Sequence, residues 1–224
     1  KMKSIGGMAP YAITKLGMAR TFQNIRLFKN LTVLDNVKIA MSKNIKYGAL
    51  TAILRLPKYY EEEAKIDKLA WELLEVVHLT EKGNELAKNL PYGEQRRLEI
   101  ARALATNPKI LFLDEPTIGL DPVVKEKIRT LIKRLNKEEN ITTLHITHFM
   151  EEAVDADRVI VMEKGKKLLE GTPREVFSKI DTLKNIGLDV PCMTELSNLL
   201  KSEGLDIRND ILTVDEMVME LCQL

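Results

Sequence analysis

Ile110-Leu111-Phe112-Leu113-Asp114-Glu115-Pro116, with Gly119-Leu120-Asp121 just behind it, decides how the rest of the chain is read. Four apolar residues ending on two adjacent carboxylates describe a buried strand that delivers acids to the edge of a sheet. Side chains alternate along a strand, so Asp114 and Glu115 point to opposite faces unless the chain turns there. A turn is expected, and it lets one acid reach a metal and the other a water. Asp121 reads locally as a turn residue or N-cap before a helix opened by Pro122. Taken alone, a solvent-facing Asp-Glu pair at a strand end is the more ordinary arrangement. The flanking segments reverse that balance.

The 224 residues suffice for one domain with an appendage. With 34 basic and 33 acidic residues the formal net charge is +1, so no electrostatic footprint for nucleic acid is present. Only Cys192 and Cys222 occur, without a C-x-x-C pair, and the three histidines lack metal-ligand spacing. Both thiols are expected to be free and structural in a reducing setting. No apolar run approaches the ~18 residues that a membrane span needs, so membrane work would fall to a separate chain. The chain opens on Lys1 rather than Met, and a shortened N-terminus is expected.

Ahead of the acidic strand, residues 1–22 read as an opening strand, a short helix around Tyr11–Leu16 and a strand at Met18–Phe22. Thr32 or Asp35 starts a helix carrying Val37, Ile39 and Ala40. Ile66, Leu69, Ala70, Leu73, Leu74 and Val77 then recur at three- and four-residue steps, an amphipathic helix whose first turn is Glu61-Glu62-Glu63. Gly48–Leu56 is apolar and poorly patterned; contact with a membrane subunit is one reading of it, and burial against that helix the more ordinary one. After Lys109 the pattern becomes α/β: helices at Val123–Leu135 and Phe149–Val154, and strands at Thr142–Ile146, Val159–Met162 and Lys166–Leu169. A helix follows from Pro173 through Phe177. Strands alternating with helices imply a largely parallel sheet. Helices return at Thr194–Lys201, stopped by Gly204, and at Val214–Leu221. The expected division is therefore 1–29, 30–105, mainly helical, 106–179, α/β, and 180–224, a small extension.

The chemistry-bearing residues share one theme, the handling of phosphate. Asp114 is the candidate Mg²⁺-associated acid and Glu115 the candidate general base for a water attacking a terminal phosphate. Leu90-Pro91-Tyr92-Gly93-Glu94-Gln95-Arg96-Arg97 opens a helix, and glycine at a helix N-terminus lets backbone N–H groups approach an anion. An ordinary loop-to-helix junction has the same spacing. His148 closes an apolar strand, where it contacts phosphate or the attacking water, or else caps a turn, as its neighbour His145 is expected to do. Gln23 is an uncharged donor and acceptor suited to a metal-bound water. Nowhere does a G-x-x-x-x-G-K-[ST] phosphate loop occur.

In this order the segments resemble the ATPase subunit of an ABC transporter. Residues 16–120, with Ala19-Arg20-Thr21-Phe22-Gln23-Asn24-Ile25-Arg26-Leu27-Phe28 and Leu90 through Leu104, are similar to the ATPases of branched-chain amino acid importers. From Asn140 onward, Thr147-His148-Phe149-Met150-Glu151-Glu152-Ala153 and Glu170-Gly171-Thr172-Pro173-Arg174 resemble the ATPases of energy-coupling-factor importers. The resemblance implies an α/β core of the P-loop NTPase type, N-terminally incomplete, with an inserted helical subdomain and a small C-terminal helical extension. It makes Gln23 the Q-loop residue, Gly93 and Glu94 the signature contact to nucleotide, and Asp114 and Glu115 the Walker B acids. Asp121 becomes the D-loop aspartate and His148 the switch histidine. Pro91 replaces the signature serine, and the phosphate loop would precede Lys1. Losing its strand is expected to leave Ile110–Leu113 and Thr142–Ile146 with unpaired backbone groups.

The implied ligands are ATP and Mg²⁺. The implied partners are a second ATPase subunit, identical or different, and transmembrane permease subunits, with the chain peripheral on the cytoplasmic face of the membrane. Two other functions remain open from sequence: a non-catalytic half-site lending Gly93 and Asp121 to a partner's ATP, and a soluble ABC protein unconnected to transport.

Overall fold

Three parallel strands lie at the centre of the first half of the chain: β1 (Met18–Arg20), β2 (Ile110–Asp114) and β3 (Thr142–Ile146), in the spatial order β1-β2-β3. The computed structural model describes residues 5–44 and 48–223. It divides into two units, Lys1–Ile146 and Thr147–Leu224.

In the first unit, α1 (Pro10–Lys15) precedes β1, and α2 (Val33–Ala40), α3 (Ala49–Ile53), α4 (Pro57–Val76) and α5 (Tyr92–Leu104) separate β1 from β2. The crossover from β2 to β3 is α6 (Pro122–Lys137). β2 is apolar because it is covered: Leu111 and Leu113 are fully buried, in one core with Val33, Val37, Leu74, Leu98, Ile100 and Ile128. At about 25 cal/mol per Å² of apolar surface, each such leucine contributes about 2 kcal/mol. β2 is paired on both sides, with Met18 opposite Ile110 and Ile110 opposite Thr142. The expectation of unpaired backbone along Ile110–Leu113 is therefore corrected. β3 has a strand neighbour on one side only among the described residues, and its Leu144 and Ile146 are exposed.

Local signals explain the helix ends. Thr32 caps α2 by accepting from the Asp35 N–H at 3.0 Å, which decides between the two starts read from sequence. Pro57 occupies the first turn of α4, so Glu61-Glu62-Glu63 lie in the second turn rather than the first. Glu62 meets Lys65 at 2.8 Å and Glu63 lies 3.7 Å from Lys38. Ile53, Leu54 and Leu56 are exposed, which overturns the expected burial of that stretch. The opening strand expected ahead of α1 falls partly outside the described residues, and residues 5–9 form a turn and coil.

The second unit holds α7 (Met150–Ala153), the antiparallel hairpin of β4 (Val159–Glu163) and β5 (Lys166–Gly171), then α8 (Pro173–Phe177), α9 (Ile180–Asn185), α10 (Cys192–Ser202) and α11 (Val214–Leu221). The hairpin turns on Lys164 and Gly165, both at positive φ, the combination a tight two-residue turn demands. Val161, Val176, Phe177, Leu183 and Leu212 form one core, and Ile207, Ile211 and Met217 a smaller one. Both cysteines are free, as expected, but exposed rather than structural.

Candidate functional site

β2 ends on Asp114, and the next residue turns the chain. Glu115 has φ +45°, a left-handed conformation that costs a non-glycine residue on the order of 1 kcal/mol or more. Its surroundings hold it there: its N–H donates to the Ile146 carbonyl at 3.0 Å, and its carbonyl accepts from Arg96 Nη2 at 2.7 Å. The turn separates the two carboxylates. Glu115 Oε2 accepts from Gln23 Nε2 at 2.6 Å, and Asp114 Oδ2 accepts from Arg20 Nη2 at 2.6 Å. Gln23, Asp114 and Glu115 are thus brought to one edge of the sheet. Arg20 was not foreseen as Asp114's partner, and being largely exposed it adds at most about 1 kcal/mol.

The segment after β1 is pinned at both ends. Thr21 is buried, donates its N–H to the Phe112 carbonyl at 2.9 Å and accepts from the Asp114 N–H at 3.4 Å. Further on, buried Asn36 mimics a neighbouring strand: its amide donates to the Phe28 carbonyl and its oxygen accepts from the Phe28 N–H, both at 3.0 Å. Gln23, between these anchors, is exposed but held at its amide.

Gly93 and Asp121 meet elsewhere in this unit. A cleft of about 300 Å³ is lined by Tyr92, Gly93, Glu94, Gly119, Asp121 and Val124 among others. Asp121 caps α6, its Oδ1 accepting from the Val123 and Val124 N–H groups at 3.0 and 3.1 Å. Gly93 is required by packing as well as by any ligand, since a Cβ there would lie 2.6 Å from Val124 Cγ1. Pro91 provides no side-chain cap to α5; its backbone carbonyl accepts instead from the Glu94 and Gln95 N–H groups, both at 3.0 Å. Glu94 lies 2.9 Å from Lys82 and 3.6 Å from Arg97. The hydrogen bond that the Lys82 ammonium donates to Glu94 holds it above its ordinary pKa against the opposing effect of desolvation. Burial pushes the Arg97 guanidinium down, with Glu94 working against it.

His148 belongs to the second unit, is exposed, and stacks on Phe149 with ring centroids 4.3 Å apart. Beside it, the Thr147 hydroxyl donates to Glu152 at 2.7 Å and accepts from the Phe149 N–H at 3.0 Å. Sequence reasoning missed Arg96 and Glu99, a fully enclosed ion pair at 2.7 Å. The signal was present. Arg96 and Glu99 fall on the same helical face as Ile100 and Ala103, which are buried, so charge was being asked to enter the core.

Residues 7–118 match a family model described as ABC transporter. The chain is 60% identical over 163 residues, 73% of its length, to an energy-coupling factor transporter ATP-binding protein, EcfA1, of Clostridioides difficile, covering 59% of that protein. It is 38% identical over 183 residues to the high-affinity branched-chain amino acid transport ATP-binding protein BraF of Pseudomonas aeruginosa, covering 81% of this chain and 72% of that one. The two likenesses read from the sequence are thus both found. Among solved structures it is similar to cbiO1 of Clostridium perfringens, described as part of the ABC transporter complex cbiONQ, with TM-score 0.64, 27% identity, and 86% of this chain and 71% of that one covered. It also resembles the ATP-binding cassette MJ0796, captured as a dimer in a post-hydrolysis state with ADP and Pi, with TM-score 0.61 and 29% identity over 75% of this chain and 68% of that one. The chain spans about half the length of the EcfA1 relatives, between 47% and 59%. A parallel α/β sheet ending on Asp114 and Glu115, the matched family model and the BraF likeness agree, and this chain belongs to the ABC transporter family.

Proposed function

We propose that this chain is the ATP-binding and ATP-hydrolysing subunit of an ABC-type importer of amino acids, vitamins or metals. It would work peripherally on the cytoplasmic face of the membrane with permease chains and a second ATPase subunit. The observation that carries the reading is Glu115, turned out of the sheet edge with its carboxylate 2.6 Å from the Gln23 amide. The importer ATPases it resembles support the rest. No described helix is long and apolar enough to cross a membrane.

Phosphoryl transfer asks for positioning and electrostatics rather than covalent chemistry from the protein. Glu115 takes the proton of the attacking water, and Gln23 fixes the carboxylate that receives it. The resemblance of Thr147–Ala153 to importer ATPases supports giving His148 the role of contacting the terminal phosphate or that water. The first turn of α5, at Gly93, presents N–H groups and the positive end of a helix dipole to the phosphates of ATP held by a second subunit. Glu94 borders that contact, and Asp121 shapes its other wall. Asp114 and the amide oxygen of Gln23 are hard oxygen donors of the kind Mg²⁺ takes, and they would hold it. Among the described residues no three His, Cys, Asp or Glu side chains gather to cage an ion. That fits an ion whose other ligands are water and phosphate. When bound, Mg²⁺ neutralises phosphate charge.

The test is Glu115→Gln in the full protein with its partners. Hydrolysis should fall more than a hundredfold while ATP still binds, and His148→Ala should also cut turnover sharply. A Glu115→Gln rate within about tenfold, a barrier change of only ~1.4 kcal/mol, refutes the base assignment.

A further inference from the structure

Arg96 is the largest fully buried side chain that the proposed chemistry leaves without a task. It sits on α5, three residues after Gly93, and its guanidinium reaches out of the helix into both turns that carry the candidate site. Nη1 donates to the Phe22 carbonyl at 2.6 Å and to Glu99 Oε2 at 2.7 Å. Nη2 donates to the Gln23, Asp114 and Glu115 carbonyls at 3.4, 3.2 and 2.7 Å, and Nε to the Pro116 carbonyl at 3.1 Å. Glu99 completes the arrangement, its Oε1 accepting from the Phe22 N–H at 3.2 Å.

We propose that Arg96 is a positioning residue that clamps the Phe22-Gln23 turn to the Asp114–Pro116 turn and ties both to α5. The proposal rests on the ATPase reading above. Its physical basis is the planar fork of the guanidinium, whose five N–H donors, one of the two on Nη2 shared between two carbonyls, engage five carbonyls and a carboxylate. A lysine ammonium keeps the charge but has three donors on one atom and cannot span both turns. Neutral Glu115 and Gln23 backbone carbonyls have no reason to converge on one point except this cation. Their convergence sets the 2.6 Å contact between the Gln23 amide and the Glu115 carboxylate.

Arg96→Lys in the full protein, with its partners, tests this. Hydrolysis is counted per bound nucleotide, which removes any effect of a smaller folded fraction, and amide hydrogen exchange is followed in parallel. The expected result is turnover per site reduced at least tenfold, nucleotide affinity within about threefold of the parent, and faster exchange confined to residues 22–24 and 115–118 while β2 is unchanged. Turnover per site within twofold, with exchange unaltered in both turns, overturns the proposal and leaves the ATPase reading standing. Should the parent protein itself hydrolyse no ATP, that reading falls, and exchange in the two turns decides the clamp alone. If Arg96→Lys does not fold, Arg96→Gln keeps two N–H donors on a shorter, neutral side chain that still cannot span both turns, and the same two measurements apply with the same outcomes.

Discussion

At the residue scale the site is a set of close approaches with no slack. Gly93 shows this best, since an added Cβ would lie 2.6 Å from Val124 Cγ1 on α6. Gly93→Ala should destabilise the first unit by about 1–3 kcal/mol, the usual cost of overpacking, as read by urea unfolding. Val124→Ala removes the clashing methyl and should restore much of the loss in the double variant, giving a coupling energy on the order of 1 kcal/mol. Purely additive losses would mean that α5 and α6 are not in contact there. Gly93 was legible in the sequence as a helix-start glycine, but its packing partner was not, because Val124 lies 31 positions away and no local pattern links them. The same holds for the Gln23–Glu115 contact, which joins residues 92 positions apart.

At the element scale, ends were easier to read than faces. Pro173–Phe177 and Val214–Leu221 match the helices expected from sequence, since their caps are local. Asp121 caps α6 as expected. Asp121→Ala should cost about 1 kcal/mol of stability, measured by denaturant unfolding, because two N–H groups lose their acceptor. Three carboxylates in the second unit make its stability pH-dependent. The Thr172 N–H and hydroxyl hold Glu175 below its ordinary pKa, and the Arg208 N–H and guanidinium do so for Glu220, in each case against desolvation. For Glu216 burial pushes upward, but the Leu212 N–H and Arg174 outweigh it. A lowered folded-state pKa contributes stability above the unfolded value, lost as pH falls through the folded one. The second unit should therefore hold its stability from neutral pH down to about 4.3 and lose it below that, as the carboxylates protonate. Circular dichroism across that range checks it. Glu216→Gln should flatten the acid limb, and an unchanged limb would show that this network is not what acid dismantles.

At the scale of the whole molecule the informative surface is apolar and uncovered. Ile53, Leu54 and Tyr60 are 75%, 64% and 57% exposed, beside the helical segment that adjoins Gln23 in sequence. On the importer reading proposed above, these exposed apolar side chains are where a permease subunit would dock. Ile53→Glu with Leu54→Glu should leave the unfolding midpoint nearly unchanged, within about 0.5 kcal/mol per site, and abolish co-purification with the membrane subunits. Retained assembly together with cross-links found only on residues 180–224 would move the interface to the C-terminal extension. From sequence both burial and contact with a membrane subunit stood open here, with burial the more ordinary, because an apolar run without clear period does not say whether the chain itself or another protein covers it.

What the amino-acid order determined by itself were those features whose cause lies within a few residues. These are the apolar strand Ile110–Leu113, the caps at Thr32 and Asp121, the turn at Gly165, and the family motifs strung along the chain. Tertiary structure decided which of two adjacent acids faces which partner, since the left-handed turn at Glu115 is held by the Ile146 carbonyl of β3 and the Arg96 guanidinium of α5 rather than by its neighbours. It also decided that a charged pair, Arg96 and Glu99, enters the core. Burying charge is favourable only when distant backbone groups supply its hydrogen bonds, and those groups meet only after the chain has folded.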